Sequence, residues 1–242
     1  MSIRSNDEFG RFLLAKEFFE YHPRIIQRTL QETHFREEVK TQHTPVEDYL
    51  VEFTSKPASY CVGCVDMVNS TKIASRLPQN QISSYYEVFL NSMSKIIGNF
   101  GGKVIKNIGD CLLYYFPDSL DSKEDGIRNC LECGLGMIDA QELISQKLKS
   151  RGLPSLNYRI SSDYGSVIIM RTTESRAIDM IGPPVNMCSK INRCAEKNHF
   201  VIGGDLKEVI KKHQEYGFRE IKGINIGLPQ TYMVYDVTRR EN

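Results

Sequence analysis

The sequence predicts an α+β fold built on a β-α-β-β-α-β core, with additions at its C-terminal end and a helical segment before it. Three observations carry this prediction. An apolar run, Tyr60 to Val65, ends on an acid, Asp66. The stretch from Gln81 to Asn99 then repeats apolar residues (Ile82, Tyr85, Tyr86, Phe89, Leu90, Met93, Ile96, Ile97) at helical spacing. Finally, Gly101-Gly102 closes that helix and Gly109-Asp110 forms a tight turn, which makes a hairpin of Lys103 to Ile108 and Cys111 to Phe116.

The elements follow in order. Residues 1–55 form an N-terminal helical segment. Phe9, Phe12, Leu13, Phe18 and Phe19 suggest one amphipathic helix, and Pro23 opens a second with Ile25, Ile26, Leu30 and Phe35 on one side. Such a segment cannot bury its apolar stripe alone, so it packs on the main domain, dimerises or meets a regulatory partner. A polar stretch runs to Lys56-Pro57, and residues 56–242 form the main domain. After the first strand comes a loop at Met67 to Thr71, then the helix and the hairpin. A second helix covers Lys123 to Leu148, closed by Gly152 and Pro154. Strands near Tyr158 to Ser162 and Val167 to Met170 are joined around Tyr164-Gly165. Gly182-Pro183-Pro184 leads into a helix through Asn186 to Glu196. The tail adds a strand at Phe200 to Ile202, a short helix after Asp205, and strands near Phe218 to Lys222 and Tyr232 to Val237. The central order is that of a ferredoxin-like, palm-type core.

Composition narrows the function classes. In a chain of 242 residues, 40% are hydrophobic and 25% charged, as in an ordinary globular protein. Lys plus Arg is 31 against 30 for Asp plus Glu, so there is no basic footprint for a nucleic-acid backbone. No apolar run approaches the ~18 residues of a membrane span. The first residues carry no apolar leader core, and seven cysteines, an odd number, suit a reducing cytoplasm better than a disulfide framework. Cys61-x-x-Cys64 and Cys130-x-x-Cys133 have zinc-like spacing. The first pair falls on a strand, where residues three apart point to opposite faces, and the second on a helix without knuckle chemistry, so both read as small buried hydrophobes.

Two acids carry the chemistry. Asp66, at a strand end beside a loop of small polar residues, suits a cation that holds a triphosphate, although such an acid is often only a turn residue. Asp110 lies at the hairpin tip, and a β-α-β-β arrangement sets the first strand beside that hairpin. Two carboxylates brought together this way repel unless cations sit between them, which points to two-metal phosphoryl or nucleotidyl transfer.

Three stretches then resemble one family in order and spacing: Val65-Asp66-Met67-Val68-Asn69-Ser70-Thr71, Gly101 to Asp110, and Asp179-Met180-Ile181-Gly182-Pro183-Pro184-Val185-Asn186. From Ala58 to Val237 the chain is similar to the catalytic domain of class III adenylate/guanylate cyclases. The resemblance implies a metal site of Asp66, Met67 and Asp110 holding two Mg²⁺ or Mn²⁺ ions, with Asn69, Ser70 and Thr71 along the triphosphate. It implies that Lys106 and Asp179 read adenine, where guanylate-specific members are expected to carry Glu and Cys. It further implies that Asn186 orients the ribose, and that metal aspartates and base readers come from different chains of a homodimer. The expected activity is an adenylate cyclase converting ATP to 3′,5′-cyclic AMP and pyrophosphate. The alternatives are a catalytically weakened homology domain acting as a nucleotide-binding or dimerising module, and a cyclase with relaxed base preference.

Two departures bear on that choice. Lys190 stands where the family places an arginine against transition-state phosphate charge, and lysine lacks the planar fork that grips phosphate bidentately. Asn69 stands for the family's glycine, a milder change because Asn tolerates a left-handed backbone. Lys222 is a further candidate for the phosphates, with a solvated strand residue as the plain alternative. Gly203-Gly204-Asp205 resembles the start of a diguanylate cyclase signature, but Leu206-Lys207 follows, so Asp205 reads as a helix N-cap.

Overall fold

The computed structural model describes residues 51–53, 56–172, 175–222 and 232–240; the remainder, including nearly all of the N-terminal helical segment, lies outside the described residues. The elements in chain order are β1 (Val51–Phe53), β2 (Ala58–Met67), α1 (Ser70–Ala74), α2 (Gln79–Asn99), β3 (Lys103–Ile108), β4 (Cys111–Phe116), a 3₁₀ segment (Pro117–Ser122), α3 (Glu124–Lys149), β5 (Tyr158–Thr172), β6 (Ser175–Ile181), α4 (Pro183–Asn192), β7 (Phe200–Gly203), α5 (Gly204–Val209), β8 (Tyr216–Glu220) and β9 (Val234–Arg239). They form a sheet in the order β3-β4-β2-β5-β7-β9-β8, with β1 and β6 pairing β5 off that path.

The expected core is present. β2 runs antiparallel between β4 and β5, and β3 pairs β4, so the first strand lies beside the hairpin. The addition begins with β7, which pairs β5 in parallel and is followed by the antiparallel β9 and β8. Helices α2 and α3 cover one face. On α2, Tyr85, Phe89, Met93 and Ile97 recur every four residues and are all fully buried, and α3 adds Leu131, Met137 and Leu148. Each such side chain contributes roughly 1.5–3 kcal/mol when fully buried. The opposite face carries a smaller apolar cluster of Val62, Cys64, Ile105, Leu113, Tyr115, Val167, Met180 and Cys188. Among the described residues, no helix is long and apolar enough to cross a membrane.

Three local readings need correction. The strands expected on either side of Tyr164-Gly165 are one strand, β5, whose residues Tyr158 to Val167 pair without interruption with β2. Gly165 marks close approach instead of a turn: a Cβ there would stand 3.3 Å from Pro184 Cδ, so the glycine lets α4 settle onto the strand. The loop at Met67 to Thr71 shrinks to Val68 and Asn69, because β2 extends through Met67 and α1 starts at Ser70. Asp205 is not the N-cap of α5; Gly203 is, and Asp205 falls in the first turn. Two strands were not foreseen. β6 folds back along Ile168 to Thr172, and β1 pairs Met170 to Thr172.

The cysteine pairs lie as their spacing predicts. Cys61 belongs to the helix-covered core and Cys64 to the cluster on the other face, while Cys130 and Cys133 are buried within α3.

Candidate active site

Alternation along β2 decides which face carries the chemistry. Val65 and Met67 point into the helix-covered core, so Asp66 projects to the other face with Cys64. Its register partners are Cys111 on β4 and Arg159 on β5. The two-residue turn Gly109-Asp110 joins β3 to β4, and Met67 N–H donates to the Asp110 carbonyl at 3.3 Å. That bond clamps the end of β2 against the hairpin tip, bringing Asp66, Met67 and Asp110 together as the sequence suggested.

The electrostatics record the proximity. Burial first, and then the negative charge of Asp110, push the Asp66 carboxyl up to about 6, against an opposing pull from Arg159 and Arg193. Tyr86 of α2 also reaches this corner. Burial and the charge of Asp110 raise its phenol above the ordinary value, while a hydrogen bond with Ser70 opposes them. Asn69 adopts the left-handed conformation, φ 61° and ψ 28°, at the N-cap of α1, a backbone region that asparagine tolerates better than most residues. Ser70 and Thr71 follow in the first turn of that helix.

A divalent cation fits this donor set. Two mutually repelling carboxylates form a hard oxygen site, and among the described residues no group of three or more His, Cys, Asp or Glu is arranged to hold a metal ion by itself. Mg²⁺ is commonly held in this way, by one or two carboxylates plus substrate phosphate oxygens. Arg159 adds to the fit: its Nε is buried without a hydrogen-bond partner, beside Asp66, and suits an anionic ligand. Sequence reasoning missed Arg159 and Tyr86.

A second group lies on the same face. Lys106 sits opposite Leu113, a member of the apolar cluster there, and its Nζ pairs with Asp179 Oδ2 of β6. The other carboxylate oxygen, Oδ1, accepts from the Met180 backbone N–H at 2.8 Å, which fixes the orientation of Asp179. Asn186 and Lys190 are four residues apart on α4 and therefore share one helix face; Asn186 is exposed and Lys190 half-buried. Asn192 anchors the helix. Its Nδ2 donates to the carbonyls of Cys64 at 3.3 Å and Arg159 at 3.1 Å, tying α4 to the strands that carry Asp66 and Arg159. No hydrogen bond or ion pair joins Lys106, Asp179, Asn186 or Lys190 to Asp66 or Asp110 among the described residues. Lys222 lines a cavity of about 190 Å³ with Arg219, His199 and Asp236, where Asp236 receives Arg219 and His199 at 2.9 Å each.

Residues 55–237 match the model of the adenylate and guanylate cyclase catalytic domain, so the chain belongs to that family. It is 25% identical over 192 residues to a cytidylate cyclase of Escherichia coli, covering 73% of this chain and 40% of that protein. The chain thus spans less than half the length of this curated relative. Among solved structures it resembles the adenylyl cyclase CyaB from P. aeruginosa, with a TM-score of 0.68, 21% identity, and coverage of 77% of this chain and 96% of that one. It also resembles the guanylate cyclase domain of RhGC from Catenaria anguillulae in complex with GTP, with a TM-score of 0.65, 19% identity, and coverage of 77% and 100%. The shared fold is the α+β cyclase catalytic fold, and the named relatives differ in the base they act on.

Proposed function

We propose that the chain is an adenylate cyclase that converts ATP to 3′,5′-cyclic AMP and pyrophosphate in a homodimer with two sites. The observation that carries the adenine choice is the Lys106–Asp179 pair: it sets a donor beside an acceptor, matching adenine N1 and its 6-amino group. Asp66 and Asp110, with the Met67 carbonyl, hold the triphosphate's cations, and Arg159 with the Asn69–Thr71 turn faces the phosphates. Divalent ions bound there supply Lewis acidity at the ribose 3′-oxygen and charge neutralisation at the α-phosphate. The 3′-oxygen gives its proton to solvent water and forms a bond to the α-phosphorus as the bond from that phosphorus to the α–β bridging oxygen breaks, and the bond's electron pair leaves with pyrophosphate. Asn186 orients the ribose for that in-line geometry, and Lys190 meets the charge that builds on the phosphate. Lys222 is the proposed contact to the outer phosphates.

The metal aspartates would come from one copy and the base and ribose readers from the other. Seven free cysteines support a reducing, cytoplasmic setting. The N-terminal segment ahead of β1 is proposed to dimerise or to take a regulatory partner, since β1 itself, within the expected 1–55 segment, belongs to the main sheet. A catalytically weakened nucleotide-binding module is the second reading, and the observation favouring it is Lys190 in place of arginine.

Product analysis by mass spectrometry after incubation with ATP and Mn²⁺ or Mg²⁺ tests the proposal. Asp66→Ala and Asp110→Ala should each reduce cyclic AMP formation to background and leave thermal unfolding at or above the wild-type temperature, because removing one carboxylate relieves the repulsion. Wild-type turnover and metal dependence in either variant would rule out the two-aspartate site.

A further inference from the structure

The sheet face that carries Asp66 also carries two thiols that the proposed reaction does not use. Cys64 Sγ on β2 lies 3.0 Å from Cys111 Sγ on β4, and both cysteines are free. Cys64 stands two residues before Asp66, and Cys111 directly follows Asp110. In the β2–β4 register Cys64 faces Leu113 and Asp66 faces Cys111, so the two thiols are diagonal neighbours. Their settings differ. Cys64 is 2% exposed within the apolar cluster of this face, whereas Cys111 packs against that cluster and is only partly buried. The other thiols are placed differently. Cys61, Cys130 and Cys133 are fully buried in the helix-covered core, and Cys188 Sγ donates to the Val185 carbonyl at 3.2 Å. Cys194 is partly exposed but packs against a separate cluster.

We propose that Cys64 and Cys111 form an oxidation site for hydrogen peroxide, closing to a disulfide that displaces Asp66 and Asp110 from the geometry a divalent cation requires. The inference rests on the reading of those aspartates as the cation site. Cys111, the more exposed thiol, meets the oxidant. Its sulfur bonds one peroxide oxygen as the O–O bond breaks, and its proton leaves with the other oxygen as water, giving a sulfenic acid. Cys64 then attacks that sulfur: an S–S bond forms, the S–O bond breaks, and the Cys64 proton leaves with the hydroxyl as a second water. Two thiols are oxidised and one peroxide is reduced. Because the thiols are diagonal and not facing, closing the bond draws the start of β4 along β2 and carries Asp110, one residue away, with it. Mg²⁺ demands near-ideal octahedral geometry, so carboxylates displaced in this way lose affinity for it. A bridge formed away from ideal disulfide geometry is more reducible, and in a reducing compartment such bonds are transient and redox-sensing.

Treatment of the full chain with a small excess of hydrogen peroxide, then digestion without reductant and mass spectrometry, reads the link. Fragmentation assigns it to Cys64 as against Cys61, three residues earlier. Titration with Mn²⁺ before oxidation, after it, and again after dithiothreitol reads the effect on the aspartates. The Cys64–Cys111 link should form, Mn²⁺ should bind at least about tenfold more weakly, and dithiothreitol should reverse both changes. Cys111→Ser should prevent the link and keep its Mn²⁺ affinity in peroxide, while Cys194→Ser, at the other partly exposed thiol, should respond as wild type does. Oxidation of Cys111 to a sulfinic acid without the link, or a link that leaves Mn²⁺ affinity unchanged, overturns the inference; cyclic AMP made by the reduced protein then leaves the adenylate reading standing. The link with weakened Mn²⁺ binding, in a protein that makes no cyclic nucleotide when reduced, upholds the thiol pair and overturns the cyclase reading. A reduced protein that binds no Mn²⁺ overturns the cation site and the inference with it.

Discussion

Lys190 is the residue on which the proposed chemistry turns. It shares a helix face with Asn186 and is half-buried, which is compatible with the proposed phosphate contact. An ammonium meets phosphate charge as one point contact, whereas a guanidinium offers two parallel N–H donors. If Lys190 serves the transition state weakly, Lys190→Arg should raise the turnover number about tenfold, equivalent to ~1.4 kcal/mol, with little change in apparent ATP affinity. Steady-state kinetics on both proteins checks this; an inert or harmful substitution in a protein that already cyclises ATP well means that the surroundings are fitted to lysine. At this scale the sequence was informative wherever a residue sat in a local signal. An acid ending an apolar strand and a Gly-Asp turn are both visible in a few letters, and the fold brings Asp66 and Asp110 together. Arg159 was illegible for the opposite reason. Its place beside Asp66 arises from the register of two strands far apart in the chain, and a lone arginine in a strand announces nothing. Tyr86 was read only as part of an apolar helix stripe, because a phenol at helical spacing gives no sign that its hydroxyl reaches a carboxylate.

Strand β5 organises the elements. It is fifteen residues long and pairs β2 and β7 along one part and β1 and β6 along the other. Glycine and polar residues at its middle imitate a turn, which is why periodicity divided it. Register with β2, a long-range property, overrides that local signal. The same strand buries Asp163, which is only 1% exposed and ties β5 to α5 and to the segment before β9. Asp163 accepts from Tyr232 Oη at 2.9 Å and from the Leu206 N–H of α5 at 3.3 Å. A Cβ on Gly203 would lie 2.4 Å from its Oδ1, so the glycine before α5 makes room for this carboxylate. Burial pushes Asp163 up to about 7, with the neighbouring Asp205 charge adding to the rise and hydrogen bonds from Tyr164, Tyr232 and Leu206 opposing it. The folded protein therefore keeps a proton that the unfolded chain releases near pH 4, and stability contributed by this group falls as pH rises from about 4 to about 7, then levels. Asp163→Asn removes the ionisation while keeping an acceptor. Its stability relative to wild type should improve by on the order of 2 kcal/mol between pH 5 and pH 8. Urea unfolding at the two pH values measures it, and a constant difference would mean that Asp163 does not titrate in this range.

On the scale of the whole molecule, both groups of candidate residues lie on the sheet face that α2 and α3 leave uncovered. Asp66 projects there with the Val62–Cys64 cluster, and Lys106 and Asp179 join there across β3 and β6. Exposed apolar side chains flank both: Ile108, 57% exposed, precedes the Gly109-Asp110 turn, and Ile181, 40% exposed, follows Asp179 on β6. Among the described residues no hydrogen bond or ion pair joins the proposed metal aspartates to the proposed base readers, yet the proposed reaction needs both on one nucleotide. In the proposed homodimer, a second copy laid face to face would supply the missing half by two-fold symmetry, each copy lending its aspartates to one site and its readers to the other. This arrangement makes a prediction that no single-chain site shares. Asp66→Ala homodimers lack cation ligands at both sites, and Lys106→Met homodimers lack the base reader at both. When the two variants are co-expressed, a heterodimer carries both defects in one site and neither in the other. Random pairing gives about half heterodimers, each with one working site of two, so activity should recover to about a quarter of wild type. Differently tagged variants purified through both tags isolate the heterodimer, which should then show about half the wild-type activity with the wild-type ratio of ATP to GTP use. Activity that stays at background in a verified heterodimer would place the aspartates and the readers of each working site on the same chain.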